Sequence, residues 1–311
     1  MSAPLIIIDW GTTSFRAWLV GTDGSVRGEL ADGKGMRDLK REEFAGYCAA
    51  RLAPWRHGAD PPPIYMAGMV GAPQGWRTAP QLPLPVTLDA LAAQVMPLPD
   101  MPGASIIPGV RRQGGADAGD VMRGEEVQIF GALADAGLTD AILCLPGTHS
   151  KWARVEGRAI TGFTTSMTGE VYDVMLEHSV LGLPAERGAP FTADAFASGL
   201  EQSSAPGGLL HHLFTTRARG LYGGLAPEAV ESYLSGLLIG AEIAAMRPLY
   251  PEAAKGCVLL VCAPRLRMPY ESAFHRAGLS CRWIAARAAS LRGIGAVAAH
   301  HRKILSPETS P

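Results

Sequence analysis

Three short stretches carry residue types that handle phosphate. In "LIIIDWGTTSFRA" (5–17), Asp9 ends an apolar run and is followed by Gly11, Thr12 and Thr13. The N–H groups of such a turn and the threonine hydroxyls can donate to phosphate oxygens. The carboxylate can hold Mg²⁺, usually through water, beside the same phosphates. In "PGTHSK" (146–151), Gly147 permits close backbone approach, Thr148 offers a donor and Lys151 a point charge. In "VMRGEE" (121–126), Arg123 can pair with an anionic substrate. A carboxylate there can take the proton of a hydroxyl that attacks a phosphoryl group. Adjacent glutamates on a helix point in different directions, so one of the two faces a given site, and Glu125 is favoured. Each stretch also has a plainer reading, as a hairpin turn or an acidic helix start. The recurrence of the turn favours phosphate, because a triphosphate is held from two sides.

A fourth region, "MAGMVGAPQGW" (66–76), sets Gly68 and Met69 ahead of Trp76, and "TTSMTGE" (164–170) repeats the small-residue pattern. Such loops suit closure on a small, partly polar ligand. Met66 and Met69 are more often core than contact, and Trp76 reads equally as a packing anchor. The chain has no G-x4-G-K-[ST], G-x-S-x-G or H-E-x-x-H, which argues against P-loop, α/β-hydrolase and zincin chemistry.

The elements that must position these residues follow from pattern. Residues 5–9 and 14–20 read as strands joined by "WGTT", and "GTDGS" (21–25) turns the chain again. Strand–turn–strand differs from the strand–turn–helix of a Rossmann or P-loop unit. A helix is expected over 41–55, a buried strand in "IYMAGMV", an ordered proline-rich loop over 72–100, a strand over 104–110, a loop over 111–120 and a helix over 123–137. The pattern then restarts with strands across 140–160, followed by helices over 169–182, 190–201, 207–218, 227–247 and 284–302 and one strand over 256–264. Two meander openings, each followed by helices, predict a duplicated α/β architecture with a cleft between its halves.

At 311 residues the chain suits two domains, and 47% hydrophobic against 18% charged residues is a globular balance. A formal net charge of −1 gives no electrostatic case for nucleic acid or an anionic membrane, so an anionic ligand must be held by local groups. Five cysteines without C-x-x-C spacing read as reduced thiols in a cytoplasmic protein. The N-terminus lacks a basic leader, and no 18-residue apolar run predicts a membrane span. The pairs His211-His212 and His300-His301 lack convergent partners for a metal.

The motifs "IDWGTTSFRAWL", "MAGMVG", "APQLPLP", "VMRGEE", "PGTHSKW", "TGE", "ADAFASGL" and "SGLLIGAE", in this order, resemble the 2-dehydro-3-deoxygalactonokinase family of the actin-like ATPase and sugar-kinase superfamily. That resemblance implies two ribonuclease-H-like domains with an interdomain cleft. The expected domains are 1–137 and 138–311, with a last helix near 287–303 that could return to the first. It implies transfer of the ATP γ-phosphoryl group to the 6-hydroxyl of 2-dehydro-3-deoxy-D-galactonate, with Mg²⁺. Another small sugar or sugar acid as substrate, or a non-catalytic sensor, are the alternatives, and a homodimer is left open. The resemblance makes Asp9, Gly11, Thr12 and Thr13 the first phosphate site, with Asp9 on the metal, and Gly147 and Thr148 the second. It places Glu125 beside the attacking hydroxyl. Gly68, Met69, Trp76 and Arg123 fall on the sugar-acid side, where Arg16 or Lys151 could meet the carboxylate. One departure stands out. After the late strand the family leads one to expect Gly-Ser, whereas here Ala263 and Pro264 follow Cys262. A Cβ and a proline ring at that point are expected to crowd the adenosine.

Overall fold

The computed structural model describes residues 4–113 and 119–306, so 114–118 of the expected loop over 111–120 lie outside the described residues. The chain packs into two compact units. The first comprises Met1–Asp140, Val155–Phe163 and Ala286–Pro311, and the second Ala141–Arg154 and Thr164–Ala285.

The first unit opens with β1 (Leu5–Trp10), β2 (Phe15–Val20) and β3 (Val26–Leu30), then α1 (Phe44–Leu52) and β4 (Ile64–Ala67). Next come β5 (Gln81–Pro83), β6 (Val86–Thr87), α2 (Leu88–Ala93), β7 (Met96–Pro97), β8 (Ala104–Ile106), β9 (Gly109–Arg112), β10 (Asp120–Met122) and α3 (Glu125–Ala136). Its main sheet has the order β3-β2-β1-β4-β8-β7. β1 is antiparallel to β2 and parallel to β4. As a central strand, β1 is covered on both faces, which is why "LIII" reads as an unbroken apolar run. Ile6, Ile8, Trp10, Phe15, Phe44 and Met66 join one core, each side chain contributing about 1.5–3 kcal/mol by burial.

The second unit holds β11 (Ala141–Leu145), most of β12 (Ser150–Glu156), the end of β13 (Ala159–Ser166), α4 (Thr168–His178), α5 (Ala193–Ser203), α6 (Gly208–Leu221), α7 (Val230–Met246), β14 (Cys257–Cys262), α8 (Pro264–Arg276) and β15 (Ser280–Ala285). Its strand order, β15-β14-β11-β12-β13, repeats that of β8-β4-β1-β2-β3, and β14 is parallel to both β11 and β15. The start of β13, which belongs to the first unit, pairs antiparallel with β6. The helical segment Pro227–Met246 is long and apolar enough to cross a membrane by length and composition, yet it is mostly buried as the core helix of this unit. The last element among the described residues is α9 (Ala286–Leu305), part of the first unit, packed on α3.

Three features depart from the pattern-based expectation. The proline-rich stretch over 72–100 contains β5, β6, β7 and α2, and Thr87 caps α2 by accepting the Ala90 N–H at 3.2 Å. β15 was not expected, because an edge strand with alternating exposure carries a weak apolar signal. α8 was hidden by its prolines: Pro264 occupies the first helical turn, and Pro269 sits inside the helix.

Candidate active site

In the first unit the chemistry gathers at the end of β1. Asp9 is half-buried and lies opposite Arg16 in the β1–β2 register. Ser290 of α9 donates to Asp9 Oδ2 at 3.2 Å, and Gln128 of α3 donates to Ser290 Oγ at 3.1 Å. Burial pushes the Asp9 carboxyl above its ordinary range, while the Arg16 guanidinium and the Ser290 hydroxyl pull it back. Neither Gln128 nor Ser290 was singled out from sequence, since each looks like an ordinary polar residue on a helix.

The turn after Asp9 is braced from outside. Met36 N–H donates to the Gly11 carbonyl at 3.0 Å, and Arg37 N–H to the Thr12 carbonyl at 3.1 Å. The bracing uses carbonyls only. The Thr12 and Thr13 side chains are exposed and carry no hydrogen bond among the described residues, so their hydroxyls face outward as donors. Gly68, at φ +99°, lies against the Trp10 carbonyl, and a Cβ there would come within 2.7 Å of that oxygen. A Cβ on Gly124 would lie 3.2 Å from the Gly68 Cα. The Asp9 turn, the Gly68 loop and the "RGEE" segment are therefore neighbours.

Within that segment, Glu125 accepts the Arg123 N–H at 3.0 Å and Glu126 the Gly124 N–H at 2.7 Å, so both carboxylates fold back onto the backbone leading into α3. They differ in burial. Glu125 is half-exposed, whereas Glu126 is buried, and one of its oxygens, Oε1, has no hydrogen-bond partner among the described residues. Burial first, and the Glu125 charge second, push Glu126 up to about 8. The Arg123 Nη2 donates to the Ala79 carbonyl at 2.9 Å, while its Nη1 is buried without a partner among the described residues. Burial lowers the Arg123 pKa and Glu126 opposes that shift. Met69 is half-buried against the core. Trp76 is buried, stacks on Phe44 and gives its indole N–H to Asp100 at 2.7 Å, so its surface is committed to packing.

In the second unit, the turn 146–149 joins β11 to β12. Gly147 is half-buried and Thr148 exposed, and the Thr148 carbonyl accepts the Glu170 N–H at 2.9 Å. His149 and Glu170 pair at 2.5 Å. Gly169 lies so close that a Cβ would be 2.4 Å from the Gly147 carbonyl. Lys151, expected to present a charge to phosphate, is buried and already engaged within the chain. It does not line the adjoining cavity. That cavity, about 280 Å³, is walled by Gly147 and Thr148, the start of α4, Ala189 and Phe191, the first half of α7 and the first half of α8. Ala263 and Pro264 do not line it. Ala263 is the N-cap residue of α8 and Pro264 its first residue, where a missing N–H costs nothing. The walls come from the residues beyond them: Arg265, Leu266, Pro269 and Tyr270.

Two sheets with the same strand order, each opening on a Gly-Thr turn, define the class: a protein of the two-domain, ribonuclease-H-like fold of actin-like ATPases and sugar kinases. The chain belongs to the 2-keto-3-deoxy-galactonokinase family, whose model matches residues 9–297. It is 37% identical over 300 residues to the 2-dehydro-3-deoxygalactonokinase of Escherichia coli (strain K12), covering 96% of this chain and 98% of that one. Among solved structures it is similar to a putative 2-dehydro-3-deoxygalactonokinase from Sinorhizobium meliloti, with TM-score 0.86, 34% identity and coverage of 99% and 98%. It also matches the activator of the 2-hydroxyisocaproyl-CoA dehydratase from Clostridium difficile, solved with bound ADPNP, with TM-score 0.52 over 99% of this chain and 98% of that one. At 11% identity this last likeness shows the fold alone.

Proposed function

We propose that this sugar-acid kinase transfers the γ-phosphoryl group of ATP to the 6-hydroxyl of 2-dehydro-3-deoxy-D-galactonate, in galactonate breakdown in the cytoplasm. The observation that carries the nucleotide half is the cavity beside Gly147 and Thr148, built wholly from the second unit. The sugar-acid half is supported by Arg123, whose buried, unpartnered Nη1 suits a substrate carboxylate, with Gly68 beside it and Arg16 near Asp9.

Asp9 suits Mg²⁺. It is a partly desolvated carboxylate with one hydroxyl donor, and Mg²⁺ typically takes one or two carboxylates and keeps several waters. When bound, the ion would neutralise phosphate charge. The Thr12 and Thr13 hydroxyls would donate to phosphate oxygens from the same turn. Of the two glutamates at the start of α3, Glu126 is buried, with burial pushing its pKa up to about 8, so it is mostly protonated at neutral pH. Glu125 is the carboxylate we assign to the attacking hydroxyl.

The test is ADP release from MgATP with a panel of 2-dehydro-3-deoxygalactonate, other 2-dehydro-3-deoxy sugar acids and free sugars. Highest kcat/KM on 2-dehydro-3-deoxygalactonate is expected. Folded protein without turnover on any of them would overturn the assignment, and preference for another acid would correct the substrate.

A further inference from the structure

α7 is apolar nearly all round, and Glu242 is the carboxylate in its buried middle, 5% exposed. Its two oxygens collect four good donors from three elements. Ser150 Oγ and Trp152 Nε1, both on β12, reach Oε1 at 2.7 and 2.9 Å. Thr168 Oγ1, at the start of α4, and the Tyr270 hydroxyl, on α8, reach Oε2 at 2.5 and 2.8 Å. The donors fill the four lone-pair positions of a carboxylate, and the indole N–H can only donate. Burial and the Glu242 charge keep the Tyr270 phenol protonated, and therefore a donor. No cation is among these partners; the Cys144 thiol, 3.9 Å from Oε1, adds a weak fifth donor to the four N–H and O–H groups.

Two of the three elements, α4 and α8, are walls of the nucleotide cavity, and the third, β12, adjoins it. β12 begins where the phosphate turn ends, α4 starts against that turn through Gly169, and Thr168 and Tyr270 themselves line the cavity. We propose that Glu242 is a positioning residue for nucleotide binding: one buried carboxylate sets the spacing of the phosphate turn, the start of α4 and α8. The inference rests on assigning the cavity to ATP. It also accounts for a charge in the core of the second unit, which is costly unless fully hydrogen-bonded.

Two variants test it. Glu242→Gln keeps the shape, but its amide donates where the carboxylate accepted, so two of the four donors must turn round. Ser150→Ala removes one donor and touches no part of the cavity. KM for MgATP is expected to rise about tenfold or more in Glu242→Gln and about threefold in Ser150→Ala. KM for the sugar acid should stay within twofold of wild type in both. A role confined to folding would lower melting temperature and active fraction, hence kcat, while leaving KM for MgATP unmoved. That result, or a parallel rise in both KM values, overturns the proposal. If Glu242→Gln does not fold, the milder Ser150→Ala decides alone. Wild-type protein without MgATP-dependent turnover overturns the kinase assignment and this inference together. A wild-type KM for MgATP that neither variant changes overturns this inference only.

Discussion

Asp9 and Glu126 are carboxylates of the same unit that burial pushes upward, and their surroundings separate them. Arg16 and the Gln128–Ser290–Asp9 chain favour the charged form of Asp9 and fix its orientation. Replacing it by Asn leaves an acceptor for Ser290 but removes the charge. Asp9→Asn should cut turnover by about 10²-fold or more while circular dichroism and melting temperature hold. A folded Asp9→Asn protein with normal turnover would refute the metal and phosphate role. Glu126 also accepts the Gly124 N–H and lies near Arg123, but burial and the Glu125 charge outweigh them and push its pKa up to about 8. Below its ordinary value of 4.5, native and unfolded chains both carry that proton. Between there and about 8 only the native state does, so stability falls as pH rises, by a few kcal/mol in all. Glu126→Gln should therefore be increasingly more stable than wild type as pH goes from 5 to 9, read from melting temperatures. Parallel curves for the two proteins would contradict the buried-proton assignment.

Helix placement decides whether these residues meet. The first turn of α4 rests on the phosphate turn at Gly169, where a Cβ would be 2.4 Å from the Gly147 carbonyl. Gly169→Ala must push the two apart, at a cost of about 1–3 kcal/mol. KM for MgATP should rise about tenfold, while the sugar acid, titrated without nucleotide, binds as before. Unchanged nucleotide affinity would mean that the contact is not used. α9 packs on α3 in a similar way: a Cβ on Gly293 would lie 1.8 Å from the Val127 carbonyl. The same contact zone delivers Ser290 to Asp9. Gly293→Ala should lower the melting temperature and turnover together, and a normal melting curve would show that the helices can separate without loss.

For the whole molecule, the residues assigned to the sugar acid lie in the first unit and the nucleotide cavity in the second, while Asp9, Thr12 and Thr13, assigned to the metal and phosphates, belong to the first. Each ligand alone should then stabilise the protein, by about 2.7 kcal/mol at a hundred times its dissociation constant. Thermal melts with MgATP alone and with sugar acid alone check this. A sugar acid that protects only when nucleotide is present would show that its site is incomplete in the first unit.

The repeated strand–turn–strand opening was legible because turn chemistry and apolar runs are local, and β1 and β11 with their Gly-Thr turns lie where the residues indicate. The helix at "RGEE" and the apolar α7 were legible for the same reason. What the sequence alone determined was this duplicated framework, its two Gly-Thr turns and the family motifs. Tertiary structure decided the partners. It set Ser290 on Asp9 across 281 positions and Ser150 on Glu242 across 92, distances at which no local pattern is informative. It made Glu126, not Glu125, the buried carboxyl, drew Trp76 and Lys151 into the interior, and put Ala263 and Pro264 into a helix start instead of the cavity wall. Burial and hydrogen bonding are properties of the packed neighbourhood, and they are what fix the charge and direction of each of these side chains.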